Sequence, residues 1–370
     1  MPKKHQPSVS ILVPCYNVEA YLRECLDSIV NQTLTDIEII CINDGSTDGT
    51  LGIIKEYAAK DKRIKIIDKE NEGYGKSMNR GLDAATGEYV GIVESDDWAE
   101  PDMFESLYTI AKENDCDVVK SNFYEYTPTG AVVNKFLGAL PPDDCGRLIV
   151  GRANPTLFFH FPAIWSAIYR RDFLVRNNIR FLESPGASYQ DTGFNFKVWA
   201  MARRSYLTDK AYLHYRCDNA NSSVKSTGKI FCVCDEYDSV YDYLMAHNMM
   251  DDGMRKLLAY GRYTTYVWNL HRLGGDAYNQ FLKRFSDEFR GILKSGDLSR
   301  NSFDDRAWMK LQIIAHPHNP WYRLVRAFYS VIQPVYKTRI RDNKKVYFVF
   351  NNIRVYSRPV PTFGAGASRA

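Results

Sequence analysis

Glu94, Asp96 and Asp97 crowd three acids into one short stretch, Glu94-Ser95-Asp96-Asp97-Trp98, directly after the apolar run Tyr89-Val90-Gly91-Ile92-Val93. Such a run between turn signals reads as a buried strand. Carboxylates gathered at the end of a buried strand repel one another unless something neutralises them. A hard divalent cation does this, because Mg²⁺ and Mn²⁺ take oxygen ligands and share them with substrate phosphates. The same residues also read as a helix start, with Ser95 or Asp97 capping a helix that begins near Pro101. Both readings stand on these residues alone.

The elements that position the acids follow from hydrophobic period. Val9–Val13, Glu38–Ile42, Arg63–Ile67, Tyr89–Val93 and Asp117–Ser121 read as strands. Between them, Val18–Ile29, Thr50–Ala59, Lys76–Ala85 and Met103–Ala111 carry the stepped apolar spacing of amphipathic helices. Strands alternating with helices predict an α/β fold with a mostly parallel sheet flanked by helices. Ligands of such folds bind outside the carboxyl ends of the strands. Four polar clusters fall there: Pro14–Asn17, Asp44–Ser46, Asn71–Lys76 and Glu94–Asp97. Their convergence on one edge says more than any single motif.

Further along, residues 126–160 are rich in Pro and Gly and read as loop and short strands near an acceptor opening. Trp165–Val175 reads as helix or strand-to-helix, Phe194–Ala202 as a helix opened by Asp191-Thr192, and Tyr206–Tyr215 as strand and turn. Val233–Met245, Gly253–Arg272, Tyr278–Lys294 and Tyr322–Val331 read as helices, and Val346–Tyr356 as a β-hairpin turning at Asn351-Asn352. The expected organisation is one domain over 1–228, in two parts (7–125 and 126–228). A mainly helical C-terminal region (229–358) and a disordered tail (359–370) follow.

Composition narrows the class. The 370 residues carry a formal net charge of +4, yet nine Lys or Arg and the single acid Asp342 lie between Trp321 and Val360. Eight cysteines are scattered without a C-x-x-C pair, as small hydrophobes rather than a zinc site. The start of the chain has no apolar h-region and no long uncharged apolar window occurs, so a cytoplasmic protein is expected.

The stretches Ile11–Asn17, Ile42–Asp48, Asn71–Gly73 and Glu94–Trp98 resemble the family 2 glycosyltransferases of the GT-A (Rossmann-like) fold, over roughly residues 7–220. The nearest look-alikes build bacterial cell-surface polysaccharides. The resemblance implies an inverting, metal-dependent transfer from a UDP-sugar to a hydroxyl of a growing, lipid-linked glycan, with Mn²⁺ or Mg²⁺ as cofactor. In that reading Pro14 and Tyr16 wall the base and Asp44 meets the uracil imide. Asn71 belongs to the same nucleotide pocket, Asp96 contacts the ribose and Asp97 holds the metal. Asp44 also reads as a turn cap. Glu19 reads either as part of this pocket or as a first-turn helix acid, and Lys76 either as a diphosphate contact or as a solvated cation. Glu94 stands where the family more often has Asp.

Tyr189-Gln190-Asp191-Thr192 resembles the family's acidic pair at a helix start, with Gln190 in place of Glu. Asp191 is then the general base that deprotonates the acceptor hydroxyl, and it also suits a helix N-cap. Trp165 falls where the family has an aromatic near the acceptor, or is a core residue. His214 is a candidate metal ligand and Arg216 a phosphate contact, ahead of a loop over Asn219–Lys225 that folds over the diphosphate in the look-alikes. The basic, aromatic stretch from Trp321 to Arg358 reads as a peripheral membrane patch at the inner face of the cell membrane, or as a solvated face or oligomer interface. No nucleic-acid motif accompanies it. The alternative to an enzyme is a catalytically silent glycan-binding or scaffolding protein of the same fold, which the presence of Asp97 and Asp191 disfavours.

Overall fold

The structure is a computed structural model. It describes residues 5–127, 130–133, 140–219, 230–317, 319–321, 336–341, 344–349 and 353–359. The chain divides into two compact units, Met1–Met249 and Met250–Ala370.

The first unit contains β1 (Val9–Cys15), α1 (Leu22–Val30), β2 (Ile37–Asp44), α2 (Thr50–Lys60), β3 (Ile64–Lys69), α3 (Tyr74–Ala84), β4 (Tyr89–Ile92) and β5 (Trp98–Ala99). Next come α4 (Met103–Glu113), β6 (Val118–Thr127), β7 (Gly130–Val133), β8 (Leu148–Ile149), β9 (Ala167–Arg170), α5 (Arg171–Arg176), α6 (Gln190–Met201), β10 (Ser205–Arg216) and α7 (Cys232–Ala246). The sheet order is β3-β2-β1-β4-β9-β6-β10-β5, with β7 on β6 and β8 on β10. Every residue of β1 and β2 is buried, as expected for strands covered on both faces. In α1 the buried set is Leu22, Cys25, Leu26 and Ile29, a single apolar stripe against the sheet.

β1 to β4 run parallel. β9 is inserted antiparallel between β4 and β6, and β10 is parallel to β6. Because β9 opposes both neighbours, β4 and β6 point the same way. The carboxyl ends of β1, β2, β4, β6 and β10 therefore share one edge. The expected mostly parallel, helix-flanked sheet is present. The run Trp165–Val175 resolves into β9 followed by α5.

The second unit contains α8 (Asp252–Arg272), α9 (Gly275–Ser295), α10 (Asp305–Ala315) and an antiparallel meander of β11 (Tyr336–Arg341), β12 (Lys344–Val349) and β13 (Ile353–Pro359). The expected hairpin is present as β12 and β13, and its turn at Asn351 and Asn352 lies outside the described residues. So do the expected helix over Tyr322–Val331, the loop over 220–225 and the C-terminal tail. α10 was not expected, although Asp304 caps it by accepting from the backbone N–H of Arg306 and Ala307, both at 2.9 Å.

One buried group in the first unit is exceptional. Glu236 of α7 is 1% exposed, and neither carboxyl oxygen has a hydrogen-bond partner. A Cβ on Gly193 of α6 would stand 2.1 Å from its Oε2, so a larger residue there would push the carboxyl aside. Burial pushes this carboxyl far above the usual range, against the pull of Lys197. The unfolded chain sheds the proton above the ordinary value of 4.5, whereas the folded protein keeps it. Stability is therefore lost as pH rises above that value toward the folded one. Glu236→Gln should leave the melting temperature unchanged near pH 4 and raise it by about 2–6 °C at pH 8, a gain of about 1–2 kcal/mol. Scanning calorimetry checks this; an equal shift at both pH values would contradict the assignment.

Candidate active site at the carboxyl edge of the sheet

The acid turn begins where β4 ends. Asp97 is 1% exposed. Its Oδ1 accepts from the backbone N–H of Arg216 at 2.8 Å, and its Oδ2 has no partner. Burial, with Asp96 beside it, pushes its carboxyl well above the usual range. Asp96 is half-buried, and its Oδ2 accepts from Asn219 Nδ2 at 2.7 Å. Glu94 accepts from the Tyr74 hydroxyl at 2.6 Å. Burial pushes the Glu94 carboxyl up to about 8, and the charges of Asp96 and Asp191 add to the rise. Asp191, from the start of α6, thus lies close enough to add to the charge on the acid turn.

Arg216, at the end of β10, closes the turn from the other side. Its Nε donates to the Asp96 carbonyl at 2.8 Å, and it pairs with Glu24. Its guanidinium lies 5.0, 4.9 and 5.3 Å from the ring centroids of Tyr21, Trp98 and Tyr126, an aromatic cage that favours a cation. The resemblance made Arg216 a phosphate contact; the structure engages it in holding the acid turn. His214 lies between Trp98 and Tyr124, with ring centroids 4.7 and 4.6 Å away. Its Nε2 is 2.7 Å from Glu100 Oε1, and its buried Nδ1 has no partner.

The opposite wall comes from β1 and β2. Pro14 is buried, and the Tyr16 ring is 52% exposed, beside the crevice. Asp44 turns inward: Oδ1 accepts from Lys69 and from the N–H of Glu72 at 2.8 Å, and Oδ2 from the N–H of Gly73 at 3.1 Å. It thereby fixes the loop containing Asn71, which is exposed. Lys76 pairs with Glu72 at 2.5 Å. Glu19 lies outside α1, which starts at Leu22, so it is not a first-turn acid of that helix. Its carboxylate accepts from the Gly49 N–H at the start of α2.

Gly73-Tyr74-Gly75 serves packing. A Cβ on Gly75 would stand 2.0 Å from the Leu182 carbonyl, so the 182–188 loop lies directly on the start of α3. Tyr74 N–H donates to the Gly186 carbonyl at 3.1 Å, and Asn79 and Phe181 exchange two hydrogen bonds of 3.0 Å. This loop leads into α6 and Asp191. Gln190 is 2% exposed; its Nε2 donates to Ser184 Oγ at 2.9 Å and to the Gly186 carbonyl at 3.0 Å. Those donor roles suit an amide and not a carboxylate.

Asp191 opens α6 half-buried. Its Oδ1 accepts from the Thr192 N–H at 2.7 Å. Burial pushes its carboxyl up to about 6, suited to a base that works near neutral pH. Trp165 is 5% exposed and stacks on Tyr215 at 5.2 Å. It is a core residue, as Phe123 also packs edge-on against it at 4.6 Å. Among the described residues no three His, Cys, Asp or Glu side chains gather as a ready-made metal cage. Asp97 Oδ2 is the one buried, unpartnered carboxylate oxygen of the turn, and it fits a hard cation whose remaining ligands come from substrate phosphate and water.

The family model described as glycosyl transferase family 2 matches residues 10–207. The uncharacterized glycosyltransferase EpsJ of Bacillus subtilis is 37% identical over 223 residues, 58% of this chain and 62% of its own length. The chain thus spans less than two thirds of that relative. The putative glycosyltransferase EpsH of the same organism is 32% identical over 255 residues, 68% of this chain and 73% of its own. Among solved structures, S. aureus TarS 1-349 in complex with UDP-GlcNAc aligns with a TM-score of 0.67 and 21% identity, covering 95% of this chain and 99% of that one. Its likeness establishes the GT-A fold. With the family model spanning more than half of its length and relatives above 30% identity, this chain belongs to glycosyl transferase family 2.

Proposed function

We propose that the protein transfers a sugar from a UDP-sugar to a hydroxyl of a growing cell-surface glycan, with inversion at the anomeric carbon. The observation that carries this reading is the pairing of two differently tuned carboxyl groups. Asp97 keeps a buried, unpartnered oxygen beside Asp96. Asp191 stands across from that turn with its carboxyl pushed up to about 6. Inverting transfer needs a leaving-group stabiliser on one side of the anomeric carbon and a proton acceptor on the other.

Tyr16 supplies the exposed ring face for the base. Asp44 holds the Asn71–Gly73 backbone with its carboxylate, and the second lone pair of Oδ2 is the acceptor for a uracil imide. Asp96 receives the ribose. Asp97 would hold Mn²⁺ or Mg²⁺, with the buried Nδ1 of His214 as the neighbouring candidate. A bound cation would neutralise charge on the departing diphosphate. Asp191 accepts the acceptor hydroxyl's proton at a carboxylate oxygen. Arg216 and its cage keep the acids in place. The acceptor is a glycan carried on a lipid, and the basic stretch after Trp321 brings the enzyme to an anionic membrane surface.

Asp191→Asn should lower transfer by about 10²–10⁴-fold while UDP affinity stays near that of the wild type; retained turnover would move the base elsewhere. In the wild type, kcat/KM should fall below about pH 6, because a base held up near that value is protonated there. A profile flat down to pH 5 would contradict the role. Asp97→Ala should abolish the Mn²⁺-dependent part of thermal stabilisation by UDP, and an unchanged shift would remove Asp97 from the metal site.

A further inference from the structure

A cavity lies at the opposite edge of the sheet. About 340 Å³ in volume, it opens at the amino ends of β6 and β10, beside the ends of α5 and α6. Phe173, which is 2% exposed, is part of its apolar floor, and Met249 closes one side. The exposed side chains of Arg152, Arg176 and Arg203 stand around it. The one acid in the lining, Asp117, is turned onto the backbone: its Oδ2 accepts from the N–H groups of Arg203 and Arg204 at 3.0 and 3.1 Å. Arg176 donates its Nε to the Asp172 carbonyl at 3.2 Å. Neither Arg176 nor Arg203 has an acidic partner among the described residues.

A small cavity that mixes apolar side chains with guanidinium groups suits a ligand carrying both an apolar face and an anionic group. The floor suits the apolar face of a sugar ring. Guanidinium groups bind carboxylate or phosphate in a planar, two-pronged fashion. The volume falls in the lower part of the range for small-molecule sites, about 300–1,000 Å³, enough for a sugar unit carrying one anionic group. The donor loops lie at the carboxyl edge, so this cavity is not part of the donor site.

We propose that this cleft holds an anionic sugar unit, a uronate or a sugar phosphate, of the glycan on which the enzyme acts, and so retains the growing chain between transfers. The proposal rests on the glycosyltransferase reading for the identity of its ligand.

The test uses the full chain with saturating UDP, titrated calorimetrically with glucose 6-phosphate in one arm and digalacturonate in the other. The same titrations are run on the double variant Arg176→Gln/Arg203→Gln. Both substitutions are at exposed positions, and circular dichroism checks the fold. At least one anion should bind the wild type with UDP present, and the double variant should bind it about 10–100-fold more weakly with UDP affinity unchanged. Binding of only one probe supports the site and identifies the anionic group. Binding of neither, or equal binding by wild type and variant, overturns the proposal. Anion binding without any UDP binding would uphold the cleft and count against the donor assignment instead.

Discussion

The acid turn at the end of β4 depends most on Arg216, which bonds it at two points. Three acids crowd there, and Asp97 is buried with one oxygen unpartnered. A buried, uncompensated carboxylate costs several kcal/mol. Arg216 offsets part of this by donating its backbone N–H to Asp97 and its Nε to the Asp96 carbonyl, while its guanidinium stays in the cage of Tyr21, Trp98 and Tyr126. What it leaves unsatisfied is a single buried oxygen, Asp97 Oδ2. The turn thus folds with one buried carboxyl oxygen still without a partner.

The same logic connects the two halves of the first unit. Asp191 enters from α6, and the loop before α6 is pressed onto the start of α3 through Gly75, Tyr74 and Asn79. Gln190 ties that loop to itself. Asp191 is therefore positioned by contact with α3, and Tyr74 joins this helix to Glu94.

Much of this was legible in the residues. Strand and helix periods located the parallel sheet, and the polar clusters at strand ends located the crevice. Asp97 and Asp191 stood out as acids where acids are costly. The partners of each side chain were not legible, because they depend on register and on contacts far apart in sequence. Arg216 faces Asp96 and Asp97 across 120 and 119 positions. The antiparallel insertion of β9 and the two-residue β5 exist only by pairing with distant strands. Trp165 and Glu19 show the limit in single residues: each had two readings, and burial of Trp165 in the core and the bond from the Gly49 N–H to Glu19 became visible only in three dimensions. α10 did leave a signal, the Asp304 cap before the stripe ending in Leu311, Ile314 and Ala315.

If this edge is a uridine diphosphate site completed by a divalent cation, calorimetric titration of UDP into the protein, with and without Mn²⁺ and with GDP and dTDP as competitors, shows it most directly. UDP binding should strengthen at least tenfold with Mn²⁺ and should not be displaced by equimolar GDP. Absence of UDP binding in both conditions, or binding indifferent to the metal, would contradict it.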